Sequence, residues 1–244
     1  MKPHPFVLIF TLALGLASAQ AADNQLTATE KAAGWQLVFD GKSLDGWRGY
    51  RLKGVPENLG WEVNDGTLHA KQVKYDMSNI PMAQFRKSEL ITEKKFNDFE
   101  LSWDWKLSKA ANNGIKYFVT EERPSAPGPE YQMMDDANHP DGKMGPTHHT
   151  GAFYDVLPGA ADKASPIGQW NTSRVVVRGN HVEHWLNGQK VVDCQLGSPE
   201  VKAGLAKSKF KNEPGFGEKI AGHIMLTYHG DETWVKNFKV RELK

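Results

Sequence analysis

Residues 171–196 read NTSRVVVRGNHVEHWLNGQKVVDCQL, and their pattern decides the fold class. Arg174-Val175-Val176-Val177 is a β-branched run, Gly179-Asn180 turns the chain, and His181 to Leu186 brings it back. Asn187-Gly188 then supplies the two positive φ angles of a type I′ hairpin, and Lys190-Val191-Val192 runs out again. Three successive strands make a meander. Within it His181 and Glu183 share one face, while Val182 and His184 share the other.

The same period of two extends outward in both directions. Phe99, Leu101, Trp103 and Trp105 alternate with Glu100, Ser102, Asp104 and Lys106, which predicts a strand with one face in a core. Trp61 to His69 reads as a hairpin about Asp65-Gly66. Trp35 to Phe39 reads as a first strand, and Asn112-Asn113-Gly114 as a turn into a strand from Ile115 to Thr120. Gly222 to His229 and Trp234 to Leu243 close the chain as two strands around Gly230-Asp231. Helix signals are confined to Thr29 to Ala33. Many short strands joined by Gly, Asn and Asp predict an all-β sandwich, jelly roll or barrel.

The start of the chain bears on location. Lys2 precedes an apolar stretch, Phe6 to Leu16, and Ala17-Ser18-Ala19 and Ala19-Gln20-Ala21 offer small-residue cleavage sites. The stretch is shorter than the ~18 to 20 residues of a spanning helix, so the pattern is that of a cleaved secretory signal. The expected organisation is a signal peptide over residues 1–21, a lead over 22–33 and one sandwich domain over 34–244, in a periplasmic or secreted protein. No later stretch is apolar enough to span a membrane. The 30 basic and 29 acidic residues balance, leaving no basic footprint for a nucleic acid. Cys194 is the one cysteine and reads as a small buried residue, so no intrachain disulfide supports the fold.

Candidate chemistry gathers in the middle of the chain. Residues 121–129 and 138–150 read as loops, the second carrying His139, His148 and His149. Between them Glu130 and Gln132 share a strand face, with Tyr131, Met133 and Asp135 opposite. A carboxylate beside an amide on a sheet surface suits a sugar, and the eight tryptophans could stack on pyranose faces or fill the core. Asp104 and Lys116 fall on polar faces of strands expected to be neighbours. No dedicated metal motif is present, and a divalent ion would draw on Asp135, Asp136 or His139. There is no Gly-x-Ser-x-Gly, no Walker sequence and no Gly-x-Gly-x-x-Gly dinucleotide site.

A set of ordered motifs carries a resemblance. Gly34-Trp35-Gln36-Leu37-Val38-Phe39-Asp40-Gly41-Lys42-Ser43-Leu44-Asp45-Gly46-Trp47 opens it. Ser88-Glu89-Leu90-Ile91-Thr92, Phe99-Glu100-Leu101, Asn112-Asn113-Gly114-Ile115 and Gly128-Pro129-Glu130-Tyr131-Gln132 follow. Gly151-Ala152 with Tyr154, Trp170-Asn171, Val182 to Gly188 and Arg241-Glu242-Leu243 complete it. In this order the motifs resemble the 3-keto-disaccharide hydrolase family over almost all of the chain past the signal. The resemblance implies a concanavalin A-like lectin/glucanase jelly roll of two curved antiparallel sheets. It also implies action on glycosides oxidised at C3, by hydrolysis or elimination, and a partner oxidoreductase that makes the 3-keto sugar.

A ketone at C3 acidifies the hydrogen on C2, so a base can remove it and the C1 substituent can leave; water added to the enone completes a hydrolysis. Such a route needs a base, a polariser for the C3 oxygen and an acid for the leaving oxygen. The candidates are Glu130 or His139 as base, Lys116 or a metal as polariser, and Tyr154 or His184 as proton donor. Gln132, Asp104, Asn113, Trp170 and Trp185 would hold the sugar. Two other readings compete. An ordinary glucanase would use two carboxylates, but Glu130 is followed by Gln132 and Asp135 rather than by a second acid on its face. A lectin-like module would bind sugar without turnover.

Overall fold

In the computed structural model, residues 22–56, 60–72, 88–123 and 128–244 are described. The expected signal peptide, and Pro124 and Pro127 of the first loop, lie outside them. In chain order the strands among the described residues are β1 (Gln36–Leu37), β2 (Trp47–Gly49), β3 (Trp61–Asn64), β4 (Thr67–Ala70), β5 (Leu90–Thr92), β6 (Phe99–Leu107) and β7 (Asn112–Val119). They continue with β8 (Glu130–Met134), β9 (Asn171–Arg178), β10 (His181–Leu186), β11 (Gln189–Gln195), β12 (His223–Leu226) and β13 (Thr233–Glu242). The larger sheet runs β11-β10-β9-β6-β13-β4-β3, with β1 also on β13; the smaller runs β2-β5-β12-β7-β8. Neighbouring strands pair antiparallel throughout.

The two sheets face each other across one core. Phe99, Leu101, Trp103 and Trp105 of β6 are all buried in it, as their alternation requires, and Ile115, Tyr117, Tyr131, Met133, Ile224 and Leu226 answer from the smaller sheet. The Trp103 ring meets Tyr131 edge-on at 4.9 Å, and its indole N–H donates to Met133 Sδ at 3.2 Å. Tyr131 also joins the sheets through hydrogen bonds, accepting from Ser173 Oγ at 2.7 Å and donating to the Trp185 carbonyl at 3.2 Å. A buried aromatic with its polar tip satisfied contributes both area and orientation. Both hairpin turns have the expected conformation: Asp65 and Gly66, and Asn187 and Gly188, all have positive φ.

Several local expectations are corrected. Asn112 to Gly114 is not a turn but the start of β7; the reversal lies just before it, where Ala110 adopts φ 59° and Ala111 N donates to the Ser108 carbonyl. β12 and β13, consecutive in sequence, belong to different sheets, and so do β6 and β7. Asp104 and Lys116 are therefore not on neighbouring strands. β1 is only two residues long. Besides the short α1 (Ala28–Ala32), a second helix, α2 (Pro199–Lys207), follows β11. Its signal was local: Ser198 caps it by accepting from Val201 N, and Pro199 occupies the first turn.

Candidate active site

The outward face of the smaller sheet collects the charged groups. Tyr131 and Met133 point into the core, so Glu130 and Gln132 point out, and β7 pairs Lys116 with Glu130 and Gly114 with Gln132. On the other side of β7, Met225 of β12 pairs with Lys116. Gly114 opens a gap in this surface, and the Glu130 side chain fills it. A Cβ at Gly114 would stand 2.1 Å from Glu130 Oε1 and 2.8 Å from its carboxyl carbon. Lys116 Nζ lies 3.6 Å from Glu130 Oε2 and 3.9 Å from Glu89 Oε1. Burial alone would discharge this lysine, but the two carboxylates outweigh burial and raise its pKa, so it stands as a fixed cation.

The segment after β8 turns back along the edge of that strand and is tied down by side-chain hydrogen bonds. Asp135 accepts from Ala110 N at 2.8 Å and from the Asn138 amide, and Asp136 accepts from Thr150 N at 2.9 Å. His139 Nδ1 accepts from Asp141 N at 3.1 Å, and His149 Nε2 donates to the Gly142 carbonyl at 3.0 Å. The segment returns so that Tyr154 N donates to the Glu130 carbonyl at 3.0 Å.

The Tyr154 hydroxyl donates to Asp141 Oδ2 at 2.6 Å, while Lys209 Nζ donates to the same hydroxyl at 3.3 Å and sits 4.3 Å over the ring. Burial, the Asp141 carboxylate and Glu130 together push the Tyr154 phenol above its usual range. Behind it, His148 has Nε2 3.0 Å from Asp155 and Nδ1 3.1 Å from Asp141, the latter off the line of a hydrogen bond. Asp141 titrates below its ordinary range: burial opposes this, and the Tyr154 and His148 contacts prevail.

Past the end of β12 the chain reaches His229, which is exposed yet within electrostatic reach of Glu130, Lys116, His139 and Lys209. Protein crowded around it lowers its imidazole pKa to about 4, against the pull of Glu130. Asp231 follows, accepting from Asn112 N at 3.0 Å; burial raises its carboxyl pKa, with that bond and His139 opposing.

Of the residues expected at a site, Glu130, Lys116, Tyr154 and His139 are thus brought to one surface. The others are not. His184 is fully buried between the sheets, where one ring nitrogen meets the Tyr117 hydroxyl at 3.0 Å and the other donates to the Gly151 carbonyl at 2.9 Å. Asn113 is also fully buried, donating to Thr233 and accepting from Thr227 and Gly114 N. Gln132 is 1 % exposed and its amide donates to Asn112 Oδ1, so it braces the strand pair instead of facing solvent.

Asp104, Trp170 and Trp185 lie on the outward face of the larger sheet, across the core from Glu130. There Asp104 accepts from Thr172 and Asn237. Trp170 is flanked by Lys106 and Lys236, and Trp185 by Arg174 and Lys190.

Asp135, Asp136 and His139 do not come together as a ligand set: Asp135 accepts from Ala110 N, Asp136 from Thr150 N and His139 Nδ1 from Asp141 N. Among the described residues the donor cluster with metal-like spacing is His181, Glu183 and Asp193, on the outward face of the larger sheet. The Lys190 ammonium already sits in it, 2.7 Å from Glu183 and 2.6 Å from Asp193. Sequence reasoning missed Asp141, Asp155 and Lys209 around Tyr154, and gave His148 and His229 no role. Asp141 and His148 share the loop over residues 138–150, but Lys209 and His229 come from distant segments that no motif links to it.

The chain as a whole has counterparts. The sequence signature described as the 3-keto-alpha-glucoside-1,2-lyase-like domain covers residues 34–241. The chain belongs to that family. A member named 3-keto-disaccharide hydrolase, from Bacteroides thetaiotaomicron, is 33% identical over 93% of this chain and 84% of its own length. Among solved structures, a candidate glycosyl hydrolase from Parabacteroides distasonis superposes with a TM-score of 0.78 at 33% identity. It covers 91% of this chain and 100% of its own. A second such protein from the same organism gives 0.66 at 26% identity, over 86% of this chain and 99% of its own. The family thus spans the sandwich from the opening Gly34 motif to β13, and Glu130, Lys116 and Tyr154 all fall inside it.

Proposed function

We propose that the protein cleaves glycosides oxidised at C3, removing the C2 proton and expelling the C1 substituent. The observation that carries this reading is the Glu130 carboxylate folded over Gly114 with the Lys116 ammonium 3.6 Å away. With the C3 oxygen against Lys116, the charge that develops on it as C2 loses its proton meets a preorganised cation. Glu130 receives that proton, the C1–O bond breaks, and the leaving oxygen takes the Tyr154 proton. Lys209, 3.3 Å from the phenol oxygen, supports the resulting phenolate. His139 stays out of this step, since its Nδ1 lone pair already accepts from Asp141 N.

The names of the family and of the Bacteroides relative support the substrate class. Geometry argues against an ordinary glycosidase on the same face. Such an enzyme needs two carboxyl groups facing each other across the glycosidic bond. Here the Lys116 ammonium lies between Glu89 and Glu130 and fills the place of that bond.

The reading extends to an oxidoreductase that supplies the 3-keto sugar and to export directed by residues 1–21. Recovery of the shortened chain from periplasm or medium tests the export.

The direct test is turnover of 3-keto-sucrose, 3-keto-trehalose and a 3-keto-aryl glucoside beside their unoxidised parents, with and without chelator. The oxidised sugars are expected to be cleaved and the parents not. Glu130→Gln is expected to lower kcat by about 100- to 10,000-fold, the range of a lost general base. Equal cleavage of an unoxidised parent, or a fully active Glu130→Gln, would overturn the reading. Sugar binding with no turnover would make the protein a binding module.

A further inference from the structure

Eight of the nine histidines lie in the described residues, and seven of them are committed. His69 lies between Glu62 and Glu232, and His148 between Asp141 and Asp155. His181 meets Asp193, and His184 meets Tyr117 and Gly151. His139, His149 and His223 each bond a backbone group. His229 alone has no hydrogen-bond partner among the described residues, and it is exposed. Its flanks hold it beside the start of β7: Thr227 N donates to the Gly114 carbonyl at 3.0 Å, and Asp231 accepts from Asn112 N at 3.0 Å. An uncommitted ring beside a reacting pair, with water next to it, is equipped to take a proton from that water.

Resting on the reading above, we propose that His229 is the base of a second half-reaction, in which water adds to C1 of the enone left by elimination. The step balances as follows. The water oxygen forms its bond to C1 while one of its protons passes to His229, and C2 recovers a proton from the protonated Glu130. The imidazolium then returns its proton, directly or through solvent, to the Tyr154 phenolate. One water is consumed, no redox partner is needed, and all three groups regain their starting state. His229 thus decides whether this site works as a lyase, releasing the enone, or as a hydrolase, releasing the free 3-keto sugar.

Desolvation by the surrounding protein is the main influence on the ring's protonation, and the charged groups facing it modulate that. They are Glu130 on β8, Lys116 on β7, His139 in the loop after β8 and Lys209 after α2. Its pKa lies below the ordinary imidazole value, which leaves the ring neutral, and so able to accept a proton, at pH 7.

The test follows aglycone release from a 3-keto-aryl glucoside and enone absorbance in the same cuvette, then hydration of the isolated enone supplied as substrate. The wild type is expected to release aglycone with little enone accumulating. His229→Gln and His229→Ala are expected to lose hydration at least about 100-fold more than aglycone release, so that enone accumulates. Their Tm should match the wild type, because the ring has no hydrogen bond to lose.

Three outcomes overturn the inference: hydration of the enone by both variants at the wild-type rate, equal loss of both half-reactions, or a wild type that releases enone and never hydrates it. In each of these the 3-keto sugar is still cleaved by the wild type, so the proposed function stands. Failure of the wild type to release aglycone from any 3-keto glycoside removes that function, and this inference with it.

Discussion

Gly114 shows how one missing side chain builds a site. Strand interiors disfavour glycine, which packs nothing and loses more backbone freedom than other residues. Here the absent Cβ is the space in which the Glu130 carboxylate lies, 2.1 Å from where that carbon would be. Gly114→Ala should therefore leave the strand intact and rotate Glu130 away from Lys116. We expect kcat on a 3-keto glycoside to fall about 100-fold, the scale of an ångström of misplacement, with a Tm change of only a few degrees. A variant with normal kcat would mean that the position of Glu130 over Gly114 is incidental. The motif Asn112-Asn113-Gly114 was visible in the sequence but read as a turn, because Asn-Asn-Gly is turn chemistry when no partner strand is known. The partner strand β8, far along the chain, gives the glycine its other meaning.

At the scale of the element, β10 carries a histidine for structural reasons. The alternation of β10 placed Val182 and His184 on the inner face, and the structure puts His184 between the sheets with both ring nitrogens bonded. Burial lowers its pKa from 6.5 to about 4, so the folded state holds it neutral. The unfolded chain takes up a proton at higher pH than the folded one. The stability His184 contributes is therefore complete above about pH 6.5 and is lost as pH falls toward 4. His184→Gln should destabilise by about 1 to 3 kcal/mol at pH 7, from a poorer match to Tyr117 and Gly151. The gap to wild type in urea denaturation should narrow by pH 4.5. A gap that stays constant with pH would show that the ring is not held neutral. The strand and its faces were legible from sequence, but whether an inward histidine is catalytic or structural was not, because that depends on what the opposite sheet presents.

At the scale of the molecule, the lead before the sandwich is part of it. Asn24 N donates to Asn237 Oδ1 at 2.7 Å, Asn237 N donates to Asn24 Oδ1 at 2.9 Å, and Asn24 Nδ2 donates to the Gly66 carbonyl at 2.7 Å. These bonds clamp the first described residues to β13, the strand between β6 and β4, and to the β3–β4 turn. Glu30, which also closes the capping box of α1, pairs with Lys239 of the same strand. Asn24→Ala leaves several of these groups unpaired and should cost about 1 to 3 kcal/mol in chemical denaturation, with kcat unaffected because the clamp lies across the core from Glu130. A loss below a few tenths of a kcal/mol would show that the lead contributes nothing to the fold.

The sequence by itself determined the strands, their inner and outer faces and their hairpin turns. Those properties arise from period-two burial and from φ angles at Asp-Gly and Asn-Gly, both local in the chain. Its ordered motifs also pointed to the family. Only the tertiary structure decided which strands share a sheet, and with that which polar faces look the same way. Asp104, Trp170 and Trp185 went to the far side of the core, while Glu89, Lys116, Glu130, Tyr154, Asp141, Lys209 and His229 converged from six separate segments. Convergence depends on long-range pairing, which leaves no periodic trace in any one segment.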